Sequence, residues 1–516
     1  MTAGPTLGPR AGPTEEPAEE PAQGVGAAEH LVACVDFGST FTKAALVDVR
    51  RGRLVAAAEH VTTLDADVMD GWDACLAELA SVEPAALGAE VLACSSAGGG
   101  LRIAVVGNEV LVTAEAGRRV ALSSGGRVVH VSSGGLDADG LHALKANRPD
   151  VVLLVGGTDG GNRDVLVANA ARLADARWPG PVVVAGNVAA REDVRRLLDA
   201  AGTPYVVADN VVPRIGVLAP DGARQAVREM FLRHVIGGKH LSTSAGFAAM
   251  VRGATPDVVL TAVELLAGAS SGGSGVGDVV VVDVGGATTD VYSVVQPVED
   301  HAVPASEVPA SAVPAAEGAD PGTGARRGTG TDLGTDVVPA PPATRTVEGD
   351  LGVRWSAVST VEEAYEAGFL DGADLPAMRE GAQRRHDDPA YLPADDAERD
   401  LDLRLAALAT GVALRRHAGR AQVRFQADPD GPGRGRWVER SGVDLRQVAL
   451  LVGSGGALRH GSGVERRLLE HVTNAGGWQV PEAPRVVLDR GYLLAPAGLL
   501  AARHPDAAQE LLRVLR

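Results

Sequence analysis

The stretch Val279–Val294, VVVVDVGGATTDVYSV, places carboxylates on both sides of a glycine turn between apolar runs. Buried strands ordinarily exclude unpaired charge. Asp283 ends the first run, Gly285 and Gly286 make the turn, Thr288 and Thr289 offer hydroxyls, and Asp290 opens the return. A second stretch, VDFGSTFTKAALVD (Val35–Asp48), repeats the design, with Asp36 ending a strand and Gly38, Ser39 and Thr40 turning the chain. Turns of this kind point backbone N–H groups outward, and small residues let a phosphate approach them. Ser39, Thr40 and Thr42 add hydroxyl donors. Asp36 and Asp283 suit a Mg²⁺ held through water, because that ion keeps most of its hydration and takes one or two carboxylates. Lys43 can neutralise phosphate charge, and it is one of only three lysines among 48 basic residues. One acidic hairpin alone reads as an ordinary turn. Two, in opposite halves of the chain, read as two lobes closing on one nucleotide, with Asp283 or Asp290 orienting an attacking water.

A third turn, LLVGSGGALRH (Leu450–His460), runs from strand to helix through Gly453, Ser454, Gly455 and Gly456. Backbone without side chains there can lie against a flat adenosine, with a helix N-terminus nearby. The one GK dipeptide, in HVIGGKHLS, lacks the first glycine and the Ser/Thr of a Walker A loop. Any ATP site is therefore of another type. GGTDGGN (Gly156–Asn162) joins a strand to a helix and reads either as a plain turn, with Asp159 or Asn162 capping the helix, or as a second ligand loop. Cys94 in CSSAGGG reads as a buried structural cysteine whose glycine turn can floor a cleft. Glu348 and Asp350 in VEGDLG read as turn chemistry, cleft carboxylates or interlobe contacts.

Those turns need strands and helices to hold them. LVACVDFG, TKAALVDV and RLVAAAEHV form an antiparallel meander; WDACLAELASV is helical; VLACSSAGGGLRIAVVG is strand, glycine turn, strand. From Pro149 apolar strands alternate with amphipathic helices, the pattern of a parallel sheet covered on both faces. A second meander begins near Asp278, and a long helix is expected over LDLRLAALATGVALRRHAG. The expected organisation is a disordered tail (1–29), a first-lobe meander (30–94), an α/β insertion with the rest of that lobe (95–254), and a second lobe (255–516). The Pro/Ala-rich segment 297–345, with its VPAS repeats, is expected to be a disordered insertion.

At 516 residues the chain exceeds one core, and its composition is that of a soluble globular protein. No apolar run suits a membrane span and no secretory signal is expected. Three unpaired cysteines fit a reducing cytoplasm and argue against a zinc ribbon. A net charge of −18 argues against nonspecific contact with nucleic acid or anionic membrane.

Ordered as DxGST, DxGGxTTD and GSGG, the three turns resemble the nucleotide signature of the actin, Hsp70 and sugar-kinase superfamily. The resemblance implies an α/β fold with two RNase-H-like (actin/Hsp70-type) lobes around an ATP–Mg²⁺ cleft. VVLTAVELLAGA (with Glu264) and RGYLLAPAGLLAA would serve as connecting helices. VDFGSTFTKAALVD, CSSAGGGLRIAVVG, VVLLVGGTDGGN, NVVPRIGVL, VVVVDVGGATTDVYSV, TVEGDLGVRW and LLVGSGGALRHG together look like the MutL-type accessory protein of glutamate mutase. That family implies an ATP/ADP-binding ATPase, chaperone-like, that reactivates an adenosylcobalamin-dependent mutase. A homo-oligomer is compatible with it. The alternatives are a small-molecule kinase or a non-enzymatic actin-like scaffold on the same fold.

Overall fold

The computed structural model describes residues 29–516 except 65, 110–112, 240, 269–274, 297–341, 428–433, 441, 460–462 and 473. The chain opens with Leu31–Phe37 (β1), Phe41–Asp48 (β2), Arg53–Val61 (β3) and Glu90–Ser95 (β4). It then builds a separate sheet from Leu101–Gly107 (β5), Gly126–Ser133 (β6), Val151–Leu154 (β7), Val182–Val184 (β8) and Tyr205–Val207 (β9). Val251–Ala254 (β10) returns to the first sheet, whose order is β10-β4-β1-β2-β3. Val279–Val284 (β11), Thr289–Val294 (β12) and Ala343–Glu348 (β13) begin the second lobe. Ala421–Ala427 (β14) and Arg434–Arg440 (β15) form a two-stranded ribbon, and Leu450–Ser454 (β16) and Arg485–Leu488 (β17) complete the order β13-β12-β11-β16-β17. In both lobes the first strand is central, with an antiparallel meander on one side and two parallel strands on the other. The two lobes share one topology.

Alternation along the central strands explains how the lobes join. Leu31, Ala33, Val35 and Phe37 face the first-lobe core, and Val280, Val282 and Val284 face the second-lobe core. Val32, Cys34, Val279 and Val281 point the other way into one shared core. A strand buried on both faces reads as the continuous apolar run seen in the sequence. The shared core holds two helices, Thr255–Ala267 and Leu494–Leu500. They touch so closely that a Cβ on Gly498 would lie 2.0 Å from the carbonyl oxygen of Val258. Buried Asp489 accepts from the amides of Leu493 (2.7 Å) and Leu494 (3.1 Å), fixing the start of the second helix.

The inserted sheet is fully parallel in the order β6-β5-β7-β8-β9, a doubly wound arrangement. Ile103, Val105, Val151, Leu153 and Val183 pack into the first-lobe core, and their alternates Ala104, Val106, Val152, Leu154 and Val182 pack beneath the insertion's own helices. The insertion is thus continuous with the first lobe.

Several expectations change. The two strands around CSSAGGG belong to different sheets; Gly98, Gly99 and Gly100, all at positive φ, carry the chain from one to the other. The tail and most of the Pro/Ala-rich segment lie outside the described residues, and strand β13 already begins at Ala343, inside the 297–345 range. The ribbon of β14 and β15 was not expected.

Candidate functional site

Both acidic hairpins line one cavity of about 610 Å³ between the lobes. Their backbones match. Gly38 N–H donates to Phe41 O (3.1 Å) and Gly285 N–H to Thr288 O (2.9 Å), closing equivalent four-residue turns. A Cβ on Gly38 would sit 2.6 Å from Phe41 O and one on Gly285 2.9 Å from Thr288 O, so each turn needs its glycine. Across the strands Asp36 pairs with Lys43, and Asp283 with Asp290. The turns face each other: Thr40 Oγ1 lies 3.3 Å from the Cβ position of Gly286. That hydroxyl is buried and has no hydrogen-bond partner among the described residues.

The four acid and lysine positions differ in environment. Asp36 accepts from Thr255 Oγ1 (2.5 Å) and Tyr492 OH (2.6 Å), with the buried Cys94 thiol at 3.6 Å. Tyr492 comes from the second lobe, at a positive φ of 53°. Lys43 Nζ stands 3.8 Å above its ring. Asp290 is held by Arg345 through Nε (2.8 Å) and Nη2 (2.5 Å). Among the described residues no arginine pairs with Asp283; burial raises its carboxyl to about 6, opposed by Lys43 and by a hydrogen bond from Ser454, and reinforced by Asp290 and Asp36. A carboxyl raised in this way can take up a proton near neutrality.

The third turn joins them. Gly455, Gly456 and Ala457 line the cavity, and a Cβ on Gly455 would fall 2.1 Å from Val284 O, so this loop presses on the second hairpin. The segment Val353–Arg354 backs that hairpin, donating its amides to Gly285 O (3.1 Å) and Gly286 O (2.8 Å). Gly38, Ser39, Thr40, Lys43, Gly285, Gly286 and Thr288 also line the cavity, with Ser96, Gly99 and Gly100 from the CSSAGGG turn.

Four proposed ligand residues, Thr42, Thr289, Gly453 and Ser454, do not line it. Thr42 is buried with its hydroxyl on Thr62 (3.1 Å), and Thr289 is buried with its hydroxyl on Leu351 O (3.1 Å). Each adjoins a cleft residue in a strand, and alternation turns it to the opposite face. Gly453 lies inside β16, where a Cβ would meet Leu468 and Leu488. Ser454 acts on Asp283 instead of lining the cleft. Glu348 and Asp350 pair with Arg416 (2.9 Å each). In GGTDGGN, Asp159 accepts from Asn210 (2.9 Å) and Val188 N–H (3.1 Å), and Asn162 accepts from Asp164 N–H (2.9 Å), so its polar groups close the loop.

Sequence reasoning missed Arg345, Tyr492, Thr255 and Arg127, the last an exposed cleft residue on β6. No spacing signal links them to the hairpins. For Tyr492 the GY pair before a small-residue helix was visible, without its partner.

A family model described as MutL protein matches residues 32–314 and 325–515. The chain is 32% identical over 496 residues to "Protein MutL" of Clostridium tetanomorphum, covering 93% of this chain and 97% of that one. Among solved structures, a nucleotide-free acetone carboxylase aligns at a TM-score of 0.37 and 14% identity, over 92% of this chain and 70% of that one. The xylulose kinase of Lactobacillus acidophilus aligns at 0.31 and 11%, over 94% and 92%.

Proposed function

The chain belongs to the MutL protein family, and from that premise we propose that it binds ATP with Mg²⁺ between its two acidic hairpins and hydrolyses it. In this reading it is an accessory protein that reactivates an adenosylcobalamin-dependent mutase such as glutamate mutase. The observation that carries the nucleotide site is the buried, unpartnered Thr40 hydroxyl, set between two matching hairpins in a cavity both of them line. A buried donor without a partner costs about 1–3 kcal/mol unless a ligand satisfies it.

The donor set fits the metal. Asp36 and Asp283 are two carboxylates lining one cavity, as suits an ion that keeps its water and binds phosphate oxygens. When bound, Mg²⁺ neutralises charge on those oxygens. The protein's part is positioning and proton transfer. Gly455 and Gly456 give adenosine a flat surface, and the hairpin amides with Lys43 face the phosphates. Asp283 accepts a proton from water as the water oxygen bonds to the γ-phosphorus. The bond from that phosphorus to the β,γ-bridging oxygen breaks, ADP leaves with the electron pair, and the proton passes to solvent. Asp290, engaged by Arg345, braces the return strand. The two packed connecting helices carry the resulting lobe movement to the partner; the mutase as that partner rests on family resemblance.

The test has two parts. Purified protein should release phosphate from ATP, with Asp283→Asn slowed at least about 100-fold. A tagged adenosylcobalamin mutase should retain the protein with one of ADP or ATP and shed it with the other. Phosphorylation of a metabolite would replace this function with a kinase. Association with no such mutase in either nucleotide would remove the client.

A further inference from the structure

The inserted domain sends one cation into the cleft that the mechanism above leaves unused. Arg127, the second residue of β6, lines the same cavity as both hairpins and is exposed within it. The neighbouring cleft arginines are committed: Arg345 to Asp290, and Arg354 to Asp402 at 2.8 Å. Among the described residues Arg127 has no hydrogen bond or ion pair.

Its place is fixed from two sides. On one, the guanidinium carbon lies 3.3 Å from the Cβ position of Gly349, and Ser356 Oγ donates both to Gly349 O (3.2 Å) and to Ala287 O (2.6 Å) at the tip of the second hairpin. On the other, the preceding carbonyl, Gly126 O, accepts from Arg345 Nη1 (3.0 Å), whose Nε and Nη2 hold Asp290. Arg345 also binds Leu122 O (3.1 Å). The buried arginine therefore clasps the end of the inserted sheet to the second hairpin, and the free arginine stands beside that clasp.

We propose that Arg127 is a catalytic arginine supplied by the inserted domain, binding the phosphoryl group as it passes from ADP to water. This rests on the ATP-hydrolysis reading above. A planar guanidinium presents several donors to phosphate oxygens and gains most where charge shifts during transfer. Because β6 carries it, the hydrolysis rate depends on how the insertion docks on β13, and a partner that shifts the insertion sets the rate without touching the nucleotide.

The full-length protein is titrated with ADP alone and with ADP plus aluminium fluoride, a mimic of the transferring phosphoryl group. Arg127→Ala should keep ADP affinity within about threefold, lose the fluoride-dependent tightening and slow phosphate release about 100-fold or more. Arg127→Lys should recover part of both, and millimolar guanidinium should partly rescue the alanine variant. Wild-type tightening and turnover in Arg127→Ala would overturn the assignment. A loss of ADP affinity equal to the loss of turnover would overturn it too, since that marks ground-state binding. Failure of the ATP-hydrolysis reading looks different: the wild-type protein itself would bind no ADP and release no phosphate.

Discussion

Asp283 and Tyr492 make opposite demands on the nucleotide-free protein. Asp283 is raised to about 6 chiefly by burial, against about 4 in an unfolded chain. Between those values the folded state keeps a proton that the unfolded chain has released, so this group makes folding less favourable as pH rises through the window. Asp283→Asn should therefore be more stable than wild type at pH 7.5, by about 1–3 kcal/mol, and gain little at pH 4.5; thermal melts at both pH values measure this. Turnover should fall with a single proton uptake as pH drops, and a rate with no such acid limb would remove Asp283 as the base. Tyr492 OH occupies Asp36 at 2.6 Å. If nucleotide and metal displace it, Tyr492→Phe should lower the melting temperature of the free protein and tighten Mg²⁺–ATP binding severalfold. Weaker binding would show that the hydroxyl supports the nucleotide. Neither this contact nor Arg345–Asp290 was legible in the sequence: the partners are 456 and 55 residues apart, and no local pattern encodes such pairings.

Elements whose chemistry is local were legible. Each hairpin concentrates acid, glycine and hydroxyl within a few residues, and these choices have one economical explanation. The face of each hydroxyl was harder: Thr42 and Thr289 belong to the same motifs, yet alternation removes them from the cleft. The ribbon of β14 and β15 was missed because RAQVRFQA and RGRWVER intersperse arginine and glutamine with few apolar residues. The strands flanking CSSAGGG were legible, but not that they enter two sheets. The connecting helices were placed from family likeness, and their close approach depends on one residue. With a Cβ 2.0 Å from Val258 O, Gly498→Ala must push the helices apart, costing about 1–3 kcal/mol. If those helices carry lobe movement, the variant should also weaken the coupling between nucleotide state and mutase association. Unchanged stability in denaturant unfolding would show that the contact relaxes freely.

At the scale of the whole molecule, two lobes of one topology meet across a shared core and grip a cleft, while an inserted parallel sheet docks on both. Duplication of a meander was readable as a repeated motif; the clasp tying the insertion to the second hairpin was not. The central claim is that a hairpin from each lobe holds the same nucleotide. Ser39 and Ala287 occupy the two turn tips and line the cavity or border it at the surface, so a new carboxylate at either should leave the fold intact and repel phosphate. Calorimetric titration with Mg²⁺ and a non-hydrolysable ATP analogue should give one site per chain. Ser39→Glu and Ala287→Glu should each weaken that site at least about tenfold, near 1.4 kcal/mol. Wild-type affinity in either variant, with the fold intact by circular dichroism, would contradict the shared site.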